Sequence, residues 1–382
     1  MNYKSEFADG LSSALGHFPS SWTRASVMED ASVIPDVLSA LNEVGLNQLV
    51  APEWSGGFSL GLMDLVAVNS VLGRHLLLPE VGLWTAAASG VLRALDSTDQ
   101  GSTALARGIE QGGHYGIGFY EQRSGWWKSP EAKITIGNSQ MTLLGSKPWI
   151  LGGVHAAGHL ISITDEAKKE QMLFLPDSDS GSRPIQTVTK VGIDSASSFR
   201  NLTLGSGQIL KPASSEVSIV ESSLVALTFA AAGQAIGVAE WCLETMVLHA
   251  KQRTQFGKPI GAFQAVQHIC AEARRVVEGI EALTLFAAQQ VDEAHYAWSP
   301  SLSCLRAHIA NVLPLLGERT LHILGGIGFT DEHPLHHYWK YSMYLSALLG
   351  GEEDLLTLAE RYWLPDSGQN AFASDDVLGL GV

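Results

Sequence analysis

The segment with the clearest chemical character is Arg253-Thr-Gln-Phe-Gly257, followed by Lys258-Pro-Ile-Gly-Ala-Phe-Gln264. It sets an arginine and a glycine turn between two long stretches of helical period, with Gln264 on the first turn of the second. A guanidinium presents a planar fork of donors, and a helix N-terminus presents unpaired backbone N–H groups; together they suit a diphosphate. The same arrangement is also an ordinary connection between helices, so the segment alone leaves both readings open. A buried guanidinium requires an anion, which favours the first reading if Arg253 is buried.

Other side chains are weaker candidates. His333, His336 and His337 lack the Cys or carboxylate support of a metal framework, so no metal is expected; they fit a ring stack or a solvated helix start. Glu352, Glu353 and Asp354 include two glutamates able to act as a base, but acidic residues also suit the first turn of a helix. Cys242, Cys270 and Cys304 are odd in number and unpaired in spacing, giving neither a disulfide framework nor a zinc signature. They read as buried structural thiols.

Three regions of different period must position these residues. Residues 1–108 read as helical, with apolar residues at helical spacing in Pro35–Leu49 and further helices over Leu62–His75 and Leu83–Ala94. Residues 109–213 change to short alternating segments punctuated by Gly, Pro, Asp and Ser, a run of strands making a compact β-barrel-like domain. Residues 214–382 return to helical period: Ser222–Gln252, Phe263–Glu293, Ser301–Leu324 with a kink expected at Pro314, Pro334–Leu349 and Glu352–Tyr362, then a loose tail from Asp366. This is an α+β multidomain order. The last helices are so long and apolar that an oligomer interface is expected to cover part of them.

The formal net charge of -15 argues against nucleic acid or an anionic membrane as a partner. A local basic pocket for an anionic cofactor remains compatible with it. The apolar run Leu224–Ala239 is interrupted by Gln234 and is short for a membrane span, so it reads as a buried core helix. The first residues are polar and acidic rather than a secretory signal. The expectation is a cytoplasmic protein.

Four motifs in order resemble the acyl-CoA dehydrogenase family over nearly the whole chain. Leu41–Gly73, with Ala51-Pro-Glu-Trp-Ser-Gly-Gly57, is similar to its N-terminal helical segment. Gly145-Ser-Lys-Pro-Trp-Ile-Leu-Gly-Gly153 resembles its β-domain turn, which implies that Trp149 lies against a flavin. Arg253–Gln264 resembles its arginine signature, and Leu324-Gly-Gly-Ile-Gly-Phe-Thr330 its glycine turn. The resemblance implies an N-terminal helical domain, a central β domain and a C-terminal four-helix bundle. It also implies FAD held between two subunits, an acyl-CoA substrate and an electron-transfer flavoprotein as acceptor. By position, Arg253, Gln255, Phe256, Gln264, His322, Gly325 and Gly326 match the residues that one subunit lends to its neighbour's FAD; His322 stands where the family usually has Gln.

The remaining half of the family's site is altered. The glutamate that takes the α-proton of the thioester is matched by Leu349 in one family arrangement and by Leu227 in the other, and an alkyl group accepts no proton. Tyr120, Leu151 and the Trp126-Trp127 pair replace smaller or hydroxylated residues of the flavin and thioester contacts. The pattern implies one subunit of a heteromeric acyl-CoA dehydrogenase, a heterotetramer of the kind used in steroid degradation, completing a partner's FAD site. Two alternatives stand beside it. A complete dehydrogenase would use Glu352 or Glu353 as a shifted base, on acyl-CoA or on an acyl carrier protein thioester, with a second copy of itself as neighbour. A flavin-free homologue would keep only the fold.

Overall fold

The structure, a computed structural model, describes residues 5–49, 51–120, 130–137, 140–152, 156–167, 169–176, 186–187, 197–204, 207–294, 300–350 and 355. In chain order the helices and strands are α1 (Glu6–Leu15), α2 (Arg24–Glu29), α3 (Ile34–Glu43), α4 (Leu62–His75), α5 (Glu80–Arg93), α6 (Gln100–Glu110), β1 (Tyr115–Tyr120), β2 (Lys133–Gly137), β3 (Gln140–Leu151), β4 (Gly158–Thr164), β5 (Glu170–Pro176), β6 (Gln186–Thr187), β7 (Ser197–Leu204), β8 (Gln208–Ile209), α7 (Ile219–Gln252), β9 (Thr254–Gln255), β10 (Lys258–Pro259), α8 (Gln264–Ala294), α9 (Pro300–Leu324) and α10 (Leu335–Leu349). The helix–strand–helix order is the one expected, and α9 runs through Pro314 as one helix. The last helix expected, Glu352–Tyr362, and the tail lie outside the described residues except for Leu355, which is buried. Internal contacts gather the described residues into two units: one takes those of 5–37, 62–79 and 228–355, the other those of 38–61 and 80–227.

The second unit is built on one mixed sheet in the order β6-β7-β3-β1-β4-β5-β8, with β2 bonded to β3 and β4. Most neighbours are antiparallel; β1 and β2 run parallel to β4. Alternation along the strands sends Ile134, Leu143, Ile150, Ile161, Ile163, Leu173 and Leu175 into one apolar cluster. Lys147 is fully buried on β3, where its Nζ donates to Ser162 Oγ at 3.0 Å and to the Phe119 carbonyl at 3.4 Å. Helix α5 is buried on every side from Glu80 to Leu92. Its small residues permit this. Ser222 and Ser223, at the start of α7, donate to the carbonyls of Gly90 and Ala87 at 2.8 Å, and a Cβ at Gly90 would lie 2.6 Å from the Ser222 carbonyl oxygen.

The first unit is organised around α7. A Cβ at Gly73, Gly233 or Gly237 would overlap backbone oxygen of the facing helix, at Gln234, Val66 and Ser70 respectively, so α4 and α7 cross backbone to backbone. Between these glycines Gln234 is fully buried and satisfied. Its Nε2 donates to Asn69 Oδ1 at 2.8 Å and to the Pro79 carbonyl at 2.7 Å, while its Oε1 accepts from the Tyr341 hydroxyl. By length and hydropathy α7 is able to cross a membrane, yet 94% of its most apolar window is buried inside the protein, the behaviour of a core helix. For α7 that cover comes from its own chain. Helix α8 keeps an exposed face, while α9 carries α10 against it, with Ser346 donating to the Ala310 carbonyl at 2.7 Å.

Candidate functional site

Helix α7 ends at Gln252, and the chain reverses at once in a hairpin. Gln255 pairs with Lys258 and Thr254 with Pro259. Only Phe256 and Gly257 remain as the loop, and both have positive φ, 53° and 76°. That is the two-residue turn whose twist matches a hairpin, and it normally carries Asn-Gly or Gly-Gly rather than a phenylalanine. The Ile260 N–H donates to the Arg253 carbonyl at 2.8 Å, closing the hairpin onto the end of α7. Phe256 is 92% exposed and meets Phe263 edge-on at 6.1 Å; the Lys258 ammonium sits 4.4 Å from the centre of the Phe263 ring. The hairpin thus holds a large apolar side chain out into solvent in a backbone conformation that costs a non-glycine residue about 1–2 kcal/mol.

Arg253, Gln255 and Gln264 are exposed beside it. The expectation that Arg253 might be buried within its own chain is thus corrected: its fork faces outward. Among the described residues no carboxylate pairs with it, and its donors are open to a ligand. Gln255 Nε2 donates locally to the Thr254 carbonyl at 2.8 Å. Gln264 opens α8, where the first backbone N–H groups are unpaired by the helix itself.

The second group follows α9. His322 is exposed in the last turn of that helix. The turn Gly325–Phe329 comes next, with Gly325 at φ 63°. A Cβ at Gly325 or Gly326 would meet nothing within 4 Å. At Gly325 the left-handed backbone explains the residue, but at Gly326 nothing among the described residues requires glycine. Two apolar side chains of the turn, Ile327 and Phe329, are exposed, Phe329 by 76%. The end of α7 and the segment after the turn lie within electrostatic reach of each other. Burial lowers the His333 pKa, and His249 and His336 lower it further; the His249 pKa is lowered by burial and by Arg253.

The positions matched to a base are apolar and closed. Leu349, the last residue of α10, is 1% exposed, and its carbonyl accepts from the guanidinium of the fully buried Arg306. Leu227 on α7 is 2% exposed. Glu352 and Glu353 lie outside the described residues. Trp149 pairs through its backbone with Tyr120; its side chain, like the Tyr120 side chain and the Trp126-Trp127 pair, lies outside what is described. No His, Cys, Asp and Glu group fit for a metal occurs among the described residues. Of the cysteines only Cys242 is fully buried, its thiol pushed up to about 12 by burial; Cys270 and Cys304 are half-buried.

Sequence reasoning missed three buried polar groups, Lys147, Arg306 and the Gln234–Asn69–Tyr341 cluster. For Gln234 a signal was present: a lone amide inside an apolar run, between two glycines four residues apart. Nothing comparable marks Arg306 or Lys147.

The donors fit an FAD diphosphate: an unpaired planar fork, a helix N-terminus and a side-chain-free glycine stand on one unit. Helices before and after a mixed sheet, with this hairpin and glycine turn, follow the element order of an acyl-CoA dehydrogenase fold. Residues 218–362 match the acyl-CoA dehydrogenase C-terminal domain. The chain is 25% identical to the acyl-CoA dehydrogenase IpdE2 of Mycobacterium tuberculosis over 318 residues, 83% of each. It is 36% identical over 121 residues to FadE34 of the same organism, a match spanning 31% of this chain and 17% of that protein. In fold it superposes on the steroid ACAD Tcur3481-Tcur3483 with a TM-score of 0.80, over 95% of this chain and 98% of that one at 22% identity. Residues 218–362 are thus similar to the C-terminal domain of acyl-CoA dehydrogenases, and the fold matches theirs.

Proposed function

We propose that this chain is one subunit of a heteromeric FAD-dependent acyl-CoA dehydrogenase and completes the FAD site of a catalytic partner while lacking a base of its own. The observation that carries the reading is an asymmetry. The strained hairpin projects Phe256 beside an outward-facing Arg253, and no described residue explains why Gly326 is small. Both base positions meanwhile hold buried leucines. Strain and exposed apolar surface persist where a function requires them.

In this reading Arg253 binds the diphosphate by its guanidinium fork, and the first N–H groups of α8 add donors at Gln264. Phe256 and Gln255 pack and orient the cofactor from the lending side, Gly325 and Gly326 allow close backbone approach, and His322 replaces an amide donor with an imidazole one. Bound FAD supplies the hydride acceptor for α,β-dehydrogenation of the thioester. This chain moves no proton at the substrate; the partner holds that carboxylate. The double name of the steroid ACAD neighbour supports pairing of two chains and a bulky steroid-derived acyl-CoA as substrate. An electron-transfer flavoprotein is the proposed acceptor, and the cytoplasm the proposed compartment.

Purification of the chain alone, and co-purified with an acyl-CoA dehydrogenase subunit that retains its glutamate, tests this by absorbance. A colourless or weakly coloured chain that becomes a yellow, active complex with the partner is the expected result. A flavin-loaded homo-oligomer that turns over acyl-CoA by itself overturns the proposal.

A further inference from the structure

His333 ties the glycine turn to the helix that follows it. Helix α10 begins at Leu335 after Pro334, a residue with no N–H and no side-chain acceptor. The first N–H of the helix is instead taken by the preceding imidazole: Leu335 N–H donates to His333 Nδ1 at 3.2 Å. The His333 carbonyl accepts from His336 Nδ1 at 3.0 Å, and the His333 N–H donates to the Thr330 carbonyl at 3.3 Å. Thr330 closes the turn through its own N–H and hydroxyl, both on the Ile327 carbonyl, at 3.1 and 2.8 Å. One residue therefore links Gly325–Phe329 to the first turn of α10.

A ring nitrogen that accepts a backbone N–H must be unprotonated, so this cap exists only in the neutral imidazole. The ring is also held laterally. Trp241 of α7 lies 6.2 Å from it, and Trp241 stacks on Tyr338 of α10 with ring centres 3.5 Å apart. The charged and titratable groups facing His333 are His249 from α7 and His336 from α10. Beyond them Asp331, Lys340 and Arg24 face the neighbouring His337, whose ring lies 3.9 Å from that of His336.

We propose that His333 is a positioning residue and a proton-controlled cap: neutral, it fixes the glycine turn against α10, and protonated, it releases the turn. That the turn meets a flavin rests on the function proposed above; the cap itself does not. Burial and the neighbouring imidazoles lower the His333 pKa below the ordinary 6.5. The cap is therefore complete above 6.5 and is lost as pH falls through the lower value of the folded chain.

The test uses the full chain, with amide exchange at Leu335 and Thr330 corrected for intrinsic rate, from about pH 8 to about pH 4. Protection in the wild type should fall about three- to tenfold on acidification, the value of one net hydrogen bond. Asparagine accepts with its side-chain oxygen and does not titrate, so His333→Asn should keep protection at every pH. His333→Phe should lose it at every pH. Wild-type protection that does not change with pH, or an Asn variant indistinguishable from Phe, overturns the proposal. Flavin retention by the partnered complex is the separate arm. If the amides titrate and retention does not, the cap stands and the assignment of the turn to the flavin falls.

Discussion

Replacing Phe256 with glycine separates what the hairpin does for its own chain from what it does for a neighbour. The side chain is 92% exposed, so its removal forfeits almost no burial within the chain. The left-handed backbone costs a phenylalanine about 1–2 kcal/mol, a cost glycine avoids. Against this, glycine gives the unfolded chain more freedom, worth about 0.5–1 kcal/mol, and the edge contact with Phe263 is lost. The net change in the stability of the free chain is within about 1 kcal/mol of zero. A phenyl seated in a partner is a different quantity, about 1.5–3 kcal/mol, or roughly ten- to a hundredfold in affinity. Urea unfolding of the isolated chain should show an unchanged midpoint and slope. Titration of the partner, followed by flavin fluorescence, should show weaker assembly and faster flavin release. Two results refute the reasoning: a free chain destabilised by more than about 2 kcal/mol, or an assembled complex with undiminished affinity and flavin retention.

Other perturbations test the scaffold. Gln234→Leu strands the Pro79 carbonyl, Asn69 Oδ1 and the Tyr341 hydroxyl in the core, and urea denaturation should report a loss of about 3–6 kcal/mol. Tyr341→Phe, which removes one donor from the same cluster, should cost less than half of that. Gly237→Ala drives a Cβ into the Ser70 carbonyl and forces α4 from α7; thermal unfolding should show a loss of about 2 kcal/mol or more. Burial, then the nearby Glu221, raises the Glu170 pKa to about 7, against an opposing pull from Lys147. A carboxyl raised on folding favours the fold while protonated, so its contribution is full below 4.5 and lost as pH rises through about 7. Stability measured across that window should decline in the wild type and flatten in Glu170→Gln.

Much of the architecture was legible because period alone encodes it. Ile134-Thr-Ile alternates as a strand does, and Ala273, Val277 and Ile280 recur at helical spacing, so the order of helix, strand and helix was legible. The hairpin segment was visible as Arg253–Gln264, but its geometry was not. No local rule puts a phenylalanine at positive φ; that choice reflects what the side chain is for rather than what the turn prefers. That α7 is a core helix was legible from its apolar run, but hydropathy says nothing of how closely its glycines let α4 approach. The His333 cap was equally hidden, since an imidazole one residue ahead of a proline follows no common capping pattern. The same three histidines were legible as a ring stack or a solvated helix start, and the His336 and His337 rings do lie together, but not as a cap.

The backbone crossing of α4 and α7 has a mechanical consequence. Gly237 lies fifteen residues, and so about 22 Å, before Gln252, the last residue of α7, and Arg253 follows directly. The crossing is a fulcrum and the hairpin is the far tip of the arm. A tilt of about 5° at the fulcrum would swing the guanidinium by about 2 Å, the width of a lost hydrogen bond. Side-chain contacts can yield by changing rotamer, but carbonyl against α-carbon cannot, so the arm is aimed by the least adjustable contact in the molecule. Variants at Gly73, Gly233 and Gly237 should therefore register at the hairpin as errors of aim, far from where the atoms were changed.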